Sequence, residues 1–161
     1  MTGLGLLVLR LTLAVVCIAH GGHKLFGAFA GSNIGPGGLS NTAAHFNTIG
    51  LSPGFLLAVL AGLTQLVGGI LIGVGFLTRW AGAALGVLYV LLIWKEHAAW
   101  GFFLNWVRDP TRGIGYEYAF VILGALICLT IAGGGEWSLD GRRMKSMESM
   151  AAGRARLRGH G

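Results

Sequence analysis

Four long apolar blocks, separated by polar or glycine-rich stretches, organise the chain: residues 4–26, 55–77, 80–100 and 114–132. A helix needs about 20 residues to cross the roughly 30 Å hydrocarbon layer of a bilayer, so each block is long enough to span. The apolar residues are massed in these blocks rather than repeated at the helical or strand period of a half-buried soluble element. The pattern predicts an all-α membrane protein, a four-transmembrane-helix bundle forming one domain over residues 1–140. A cleaved leader would be shorter than the first block and would start on a basic cluster; this block also holds Arg10, so it is expected to stay in the mature protein.

Composition agrees with that pattern. Of the 161 residues 54% are hydrophobic and 11% charged, against about 25% charged in a soluble domain, and mean hydropathy is +0.70. The formal charge of +6 comes mainly from residues 141–161, where Arg142, Arg143, Lys145, Arg154, Arg156 and Arg158 face only Glu148. Arg79 shares a side with this tail if there are four spans, while Lys24, Lys95, Arg108 and Arg112 lie opposite. Seven cations against four place both termini in the cytoplasm by the positive-inside rule. This makes 141–161 a basic cytoplasmic tail and points to a multi-pass protein of the bacterial inner (plasma) membrane. Met144, Met147 and Met150 recur among the tail's cations, a pattern that suits a surface helix on anionic lipid as well as a solvated tail. No nucleic-acid partner is expected.

The outer loop, residues 28–53, contains no Lys, Arg, Asp or Glu but does contain Phe29, Leu39, Phe46 and Ile49. Gly31, Gly35, Pro36, Gly37 and Gly38 break it, and Ser40 is placed to cap a short helix through AAHFN. A lid at the membrane surface is predicted. In the connection over 98–113, Trp100, Phe102, Phe103 and Trp106 suit the aromatic belt at headgroup depth, followed by a polar turn at Arg108, Asp109, Pro110 and Arg112. Glycine makes up 29 residues, and Gly69 with Gly73 and Gly82 with Gly86 show GxxxG spacing, which predicts close packing of the second and third spans.

Ionisable groups in hydrocarbon cost at least about 2.5–3.5 kcal/mol, so each one asks for a reason. Arg10 lies about 9 Å into the first span and either snorkels to the surface or pairs inside the bundle. Arg10, Cys17, Gly21 and Lys24 fall on one helical stripe, with His20 at its edge, and Gln65 lies near mid-membrane beside Gly62 and Gly69. These positions make Arg10 and Gln65 the buried polar residues. Cys17 and Cys128 form no CxxC pair and read as packing residues.

Counting spans brings His20, His23 and Lys24, then Lys95, Glu96 and His97, and Glu117 to one end of the bundle. Glu117 heads an otherwise uncharged run, with Lys24 or Lys95 as its natural partner. The stretch HGGHKLFG at this end has several readings. Two histidines at i and i+3 resemble a metal half-site, but no third ligand has diagnostic spacing and HExxH is absent, so no metal is assigned. His20 and His97 could hold a haem iron axially, although no spacing requires it. The remaining readings are an organic-ligand site and an ordinary wet edge.

HGGHKLFG, a glycine-broken first loop, LAGLTQLVGGILIGVGFLTR, YEYAF and GGGEWSLD together resemble the DoxX family of small four-helix membrane proteins, over about residues 4–140. The resemblance implies a membrane partner of redox enzymes, similar to a subunit of a thiosulfate:quinone oxidoreductase. By position it carries over His20, Gly21, Lys24, Gly68, Gly69, Glu117, Gly133, Gly135, Ser138 and Asp140. Gln65 stands where the family often has glutamate, and Gly134 where it often has proline. No dinucleotide fingerprint, cysteine cluster or covalent haem motif is present, so any electron carrier would belong to a protein partner. The expected function is an integral membrane subunit associated with a quinone-linked oxidoreductase. Its lipid-accessible polar pocket at the outer end would be lined by His20, Lys24, Glu96, His97 and Glu117, with a quinone as the cofactor it would suit. The alternatives are a non-catalytic scaffold or docking subunit and, behind it, a haem-binding anchor; whether the chain is itself an enzyme is left open.

Overall fold

The computed structural model describes residues 2–29 and 37–158. Among these residues there are six α-helices and no strands: α1 (Thr2–Phe26), α2 (Leu39–Thr48), α3 (Gly54–Val74), α4 (Thr78–Leu92), α5 (Glu117–Ala132) and α6 (Leu139–Arg158). A π turn (Ile93–His97) and a 3-10 turn (Ala98–Trp100) prolong α4. Three segments are long and apolar enough to cross a membrane: Gly3–Phe26, Gly54–Val74 and Thr78–Trp100. The chain is therefore a multi-pass helical membrane protein by length and composition.

The fourth expected span is shorter than its apolar run. α5 has 16 residues, about 24 Å at the helical rise. It starts at Glu117 because the amides of Tyr116 and Glu117 already donate to the carbonyls of Gly101 and Phe102, at 3.1 and 2.8 Å. Gly115 lies so close to the Phe103 carbonyl that a Cβ would have no room.

The bundle is built by small residues. Along α1 and α3 a Cβ on Gly73 would meet Ala14, one on Gly69 would meet Cys17 and Ile18, one on Gly21 would meet the Leu66 backbone, and one on Gly62 would meet Leu25. As one partner's number rises the other's falls in step, so the two helices run antiparallel along a seam without bulk, as close packing between lipid-immersed helices requires. The second and third spans pack together as expected, but the two GxxxG motifs do not face each other. Gly69 and Gly73 face α1, whereas Gly82 faces Thr130 and Leu126 of α5 and Gly86 faces Leu123. α3 meets α4 instead through Gly68 against Leu85. Leu13, Cys17, Ile72, Leu85, Leu126 and Leu129 fill the centre and are almost wholly inaccessible. Val15, Val87 and Ile131 point outward and are 69%, 73% and 71% exposed. So much apolar side chain on the outside suits a lipid solvent and not water.

Between α1 and α3, the short helix α2 leans on α3 and buries Thr42, Ala43 and Phe46. Ser40 does not cap it: the N-cap is Gly38, with no side-chain bond, and Ser40 lies within the first turn. The carbonyl of Gly38 accepts from the amide and the hydroxyl of Thr42, at 3.0 and 2.9 Å, which lets the helix start one residue before the serine. Gly31, Gly35 and Pro36, expected to break this loop, lie outside the described residues.

Candidate functional site

The polar residues gather at two ends of the bundle. At the end that carries α6, α3 stops at Gly75, whose left-handed backbone (φ 73°) sends its own amide and that of Phe76 back to the Leu71 carbonyl. Arg10 of α1 reaches this helix end and is 1% exposed. Its Nε donates to the Ile72 carbonyl at 3.0 Å, and its two terminal nitrogens donate to Gly134 at 2.7 Å and Gly73 at 2.9 Å. Arg10 therefore does not snorkel. Its charge sits on the negative pole of α3, where helix carbonyls lack partners and a cation is stabilised. Asp140 performs the complementary task at the start of α4. Its carboxylate accepts from the Leu77 and Thr78 amides at 3.0 and 2.9 Å and from the Thr78 hydroxyl at 2.9 Å. Ser138, 1% exposed, closes the turn by donating to Gly135 and accepting from the Gly141 amide.

The opposite end, reached by the loops, is less completely bonded. His23 is buried and its Nδ1 lies 2.8 Å from the Ala28 carbonyl, which fixes the end of α1. His20 faces Tyr118 of α5, ring centroids 6.3 Å apart, and interacts electrostatically with Lys24 and Glu96. Lys24 also interacts with Glu96, yet among the described residues its ammonium makes no hydrogen bond or ion pair. Glu96 is held by His45 of α2, whose Nε2 lies 3.1 Å from its Oε1. Below this group Tyr89 stands beside Cys17 and Gln65, and all three are buried. The carboxamide oxygen of Gln65 has no hydrogen-bond partner among the described residues. A buried acceptor left unsatisfied costs about 1–3 kcal/mol, so it is a place to look for a ligand or water.

Of the five residues expected to line a pocket, His20, Lys24 and Glu96 share one electrostatic cluster. His97 and Glu117 turn instead to the connection over 98–116. The Nδ1 of His97 lies 2.9 Å from the Ile114 carbonyl, and Glu117 accepts from the Leu104 amide at 3.3 Å. The expected pairing of Glu117 with Lys24 or Lys95 is absent among the described residues, since the carboxylate serves backbone at the helix start and Lys95 lies over its neighbour Trp94, 4.3 Å from the ring. Sequence reasoning missed His45, Tyr89 and Tyr118. A hydroxyl inside an apolar run was the available signal for Tyr89; His45 had none, because its partner is 51 residues away. Among the described residues no three His, Cys, Asp or Glu side chains come together as a metal site.

A family model described as DoxX matches residues 5–98, more than half of the chain. No curated protein and no solved structure matches the chain significantly.

Proposed function

The chain belongs to the DoxX family, and from this membership and the loop-end cluster we propose that it is a membrane subunit of a quinone-linked oxidoreductase. In this reading α1, α3, α4 and α5 all cross the bacterial plasma membrane, both termini are cytoplasmic, and residues 1–140 form the membrane domain with 141–161 as its tail. The electron-carrying centre belongs to a protein partner.

One observation supports the reading: His20, Lys24 and Glu96 interact electrostatically at one end of an apolar bundle, and among the described residues the Lys24 ammonium has no hydrogen-bond partner. A quinone, when bound, supplies two-electron chemistry coupled to proton transfer at its oxygens. The donor set fits such a group. Lys24 and His20 offer N–H donors to carbonyl oxygens, and Glu96 offers a carboxylate that can hold a proton. The Tyr118 ring lies beside His20, centroids 6.3 Å apart. His97 and Glu117 act at one remove, by fastening the connection that borders the cluster.

The test is binding of decylubiquinone to the purified chain in lipid nanodiscs, for wild type and for Lys24→Met, His20→Gln and Glu96→Gln. The reading expects affinity to fall about tenfold for each hydrogen bond of about 1.4 kcal/mol removed. Unchanged affinity in all three variants overturns it. A second reading, a non-catalytic docking subunit, is favoured by α6, whose side chains over 142–152 are exposed; it requires a fixed partner on co-purification and no quinone affinity.

A further inference from the structure

The terminal end carries a groove that the proposed quinone site does not use. It runs between the first turns of α4, the turn Gly133–Gly135 and the first turns of α6. Arg79, Arg143 and Lys145 line it, together with Trp80, Met144 and Met147. We propose that this groove binds the phosphate headgroup of an acidic phospholipid from the adjoining leaflet.

Three observations support the assignment. The first is charge left over after the local pairs are made. Glu136, Asp140 and Glu148 also line the groove; Asp140 is spent on the amides of Leu77 and Thr78, which leaves Glu136 and Glu148 to set against the three cations. Glu136 lies 4.0 Å from Lys145, whereas neither Arg79 nor Arg143 has an ion pair among the described residues. The second is preorganisation: Gly133 has φ 77°, and a Cβ there would lie 3.2 Å from Arg79 Nε. Glycine therefore lets the Arg79 stem lie across the turn, which fixes a guanidinium at the groove's edge, and a guanidinium suits phosphate oxygens bidentately. The third is the apolar rim. Trp80 is 77% exposed, Met144 58% and Met147 49%, and Trp80 adjoins Arg79 where the apolar run of α4 begins. An indole at headgroup depth and thioethers beside cations fit a molecule with a phosphate and acyl chains. A free phosphate ion would gain nothing from that rim.

Native mass spectrometry of the full chain released from vesicles of equal phosphatidylglycerol and phosphatidylcholine tests the proposal. A retained phosphatidylglycerol adduct is expected in wild type. It falls about tenfold in Arg79→Gln with Arg143→Gln, falls by less in Arg79→Lys with Arg143→Lys, which keeps the charge and loses the bidentate fork, and is untouched in Arg154→Gln, whose side chain lies further along α6. All the substituted residues are surface-exposed, so the variants keep the fold, which circular dichroism checks. Equal retention of both lipids, or an equal loss in Arg154→Gln, overturns the groove in favour of none or of diffuse attraction. Displacement of the adduct by millimolar inorganic phosphate would assign the groove to a soluble phosphate and overturn the lipid.

Discussion

The two ends of the bundle use ionisable residues in opposite ways. At the terminal end Arg10 and Asp140 spend their hydrogen-bonding capacity on backbone groups that two helix ends leave open. At the loop end, among the described residues, the Lys24 ammonium has no hydrogen bond or ion pair and the Gln65 oxygen has no hydrogen-bond partner. Both arrangements carry the cost of polar groups in an apolar medium. Only the first is repaid by the fold itself, and the contrast marks the loop end as the place where another molecule completes the bonding.

The largest expected effect breaks the satisfied end. Arg10→Ala strands three carbonyls and the negative pole of α3, and it should destabilise the chain by about 3–5 kcal/mol, read as a lower unfolding midpoint in detergent. A midpoint near wild type would mean that Arg10 is not a structural cap. Next comes the seam. A Cβ on Gly21 would lie 2.5 Å from the Leu66 amide nitrogen, so Gly21→Ala forces α1 from α3 at about 1–3 kcal/mol, and unaltered thermal stability would show that the helices are not in close contact.

Gln65→Leu sharpens the comparison from the other side. Removing the unsatisfied acceptor offsets the loss of the Gln65 interaction with Tyr89, so stability should stay within about 1 kcal/mol of wild type. A loss of several kcal/mol would place Gln65 among the structural residues. The smallest effect concerns the turn after the aromatic belt. The hydroxyl and amide of Thr111 donate to the Asp109 carboxylate and hold it below its ordinary value of 3.8. A depressed carboxyl contributes to folding above that value, and the contribution fades as pH falls through the lower folded-state value. Local order at 105–112, followed by amide exchange, should therefore persist at neutral pH and weaken only in strong acid; loosening between pH 7 and 5 would refute the assignment.

Much of this was legible in the chain because lipid imposes so simple a rule. An apolar run must become a helix, and the boundaries at Phe26 and Val74 follow from where polar residues or left-handed glycines stop it. The interior direction of the Arg10, Cys17 and Gly21 stripe was legible for the same reason. What Arg10 bonds to was not, because its acceptors are backbone carbonyls 62 to 124 residues away, and a backbone carbonyl carries no sequence signature. The start of α5 was hidden likewise, since loop carbonyls and not a capping side chain decide it. The GxxxG spacings announced close approach without naming the partner, and at the loop end span counting brought His20, Lys24 and Glu96 together but could not tell that His97 and Glu117 turn to backbone.

The division between a structural end and a ligand-binding end is tested most directly by the unfolding temperature with and without decylubiquinone, for wild type, Lys24→Met and Asp140→Asn. A ligand that binds only the folded chain raises that temperature. Asp140→Asn should start lower and keep the quinone-induced rise, while Lys24→Met should start near wild type and lose it. A full rise in Lys24→Met would contradict the account.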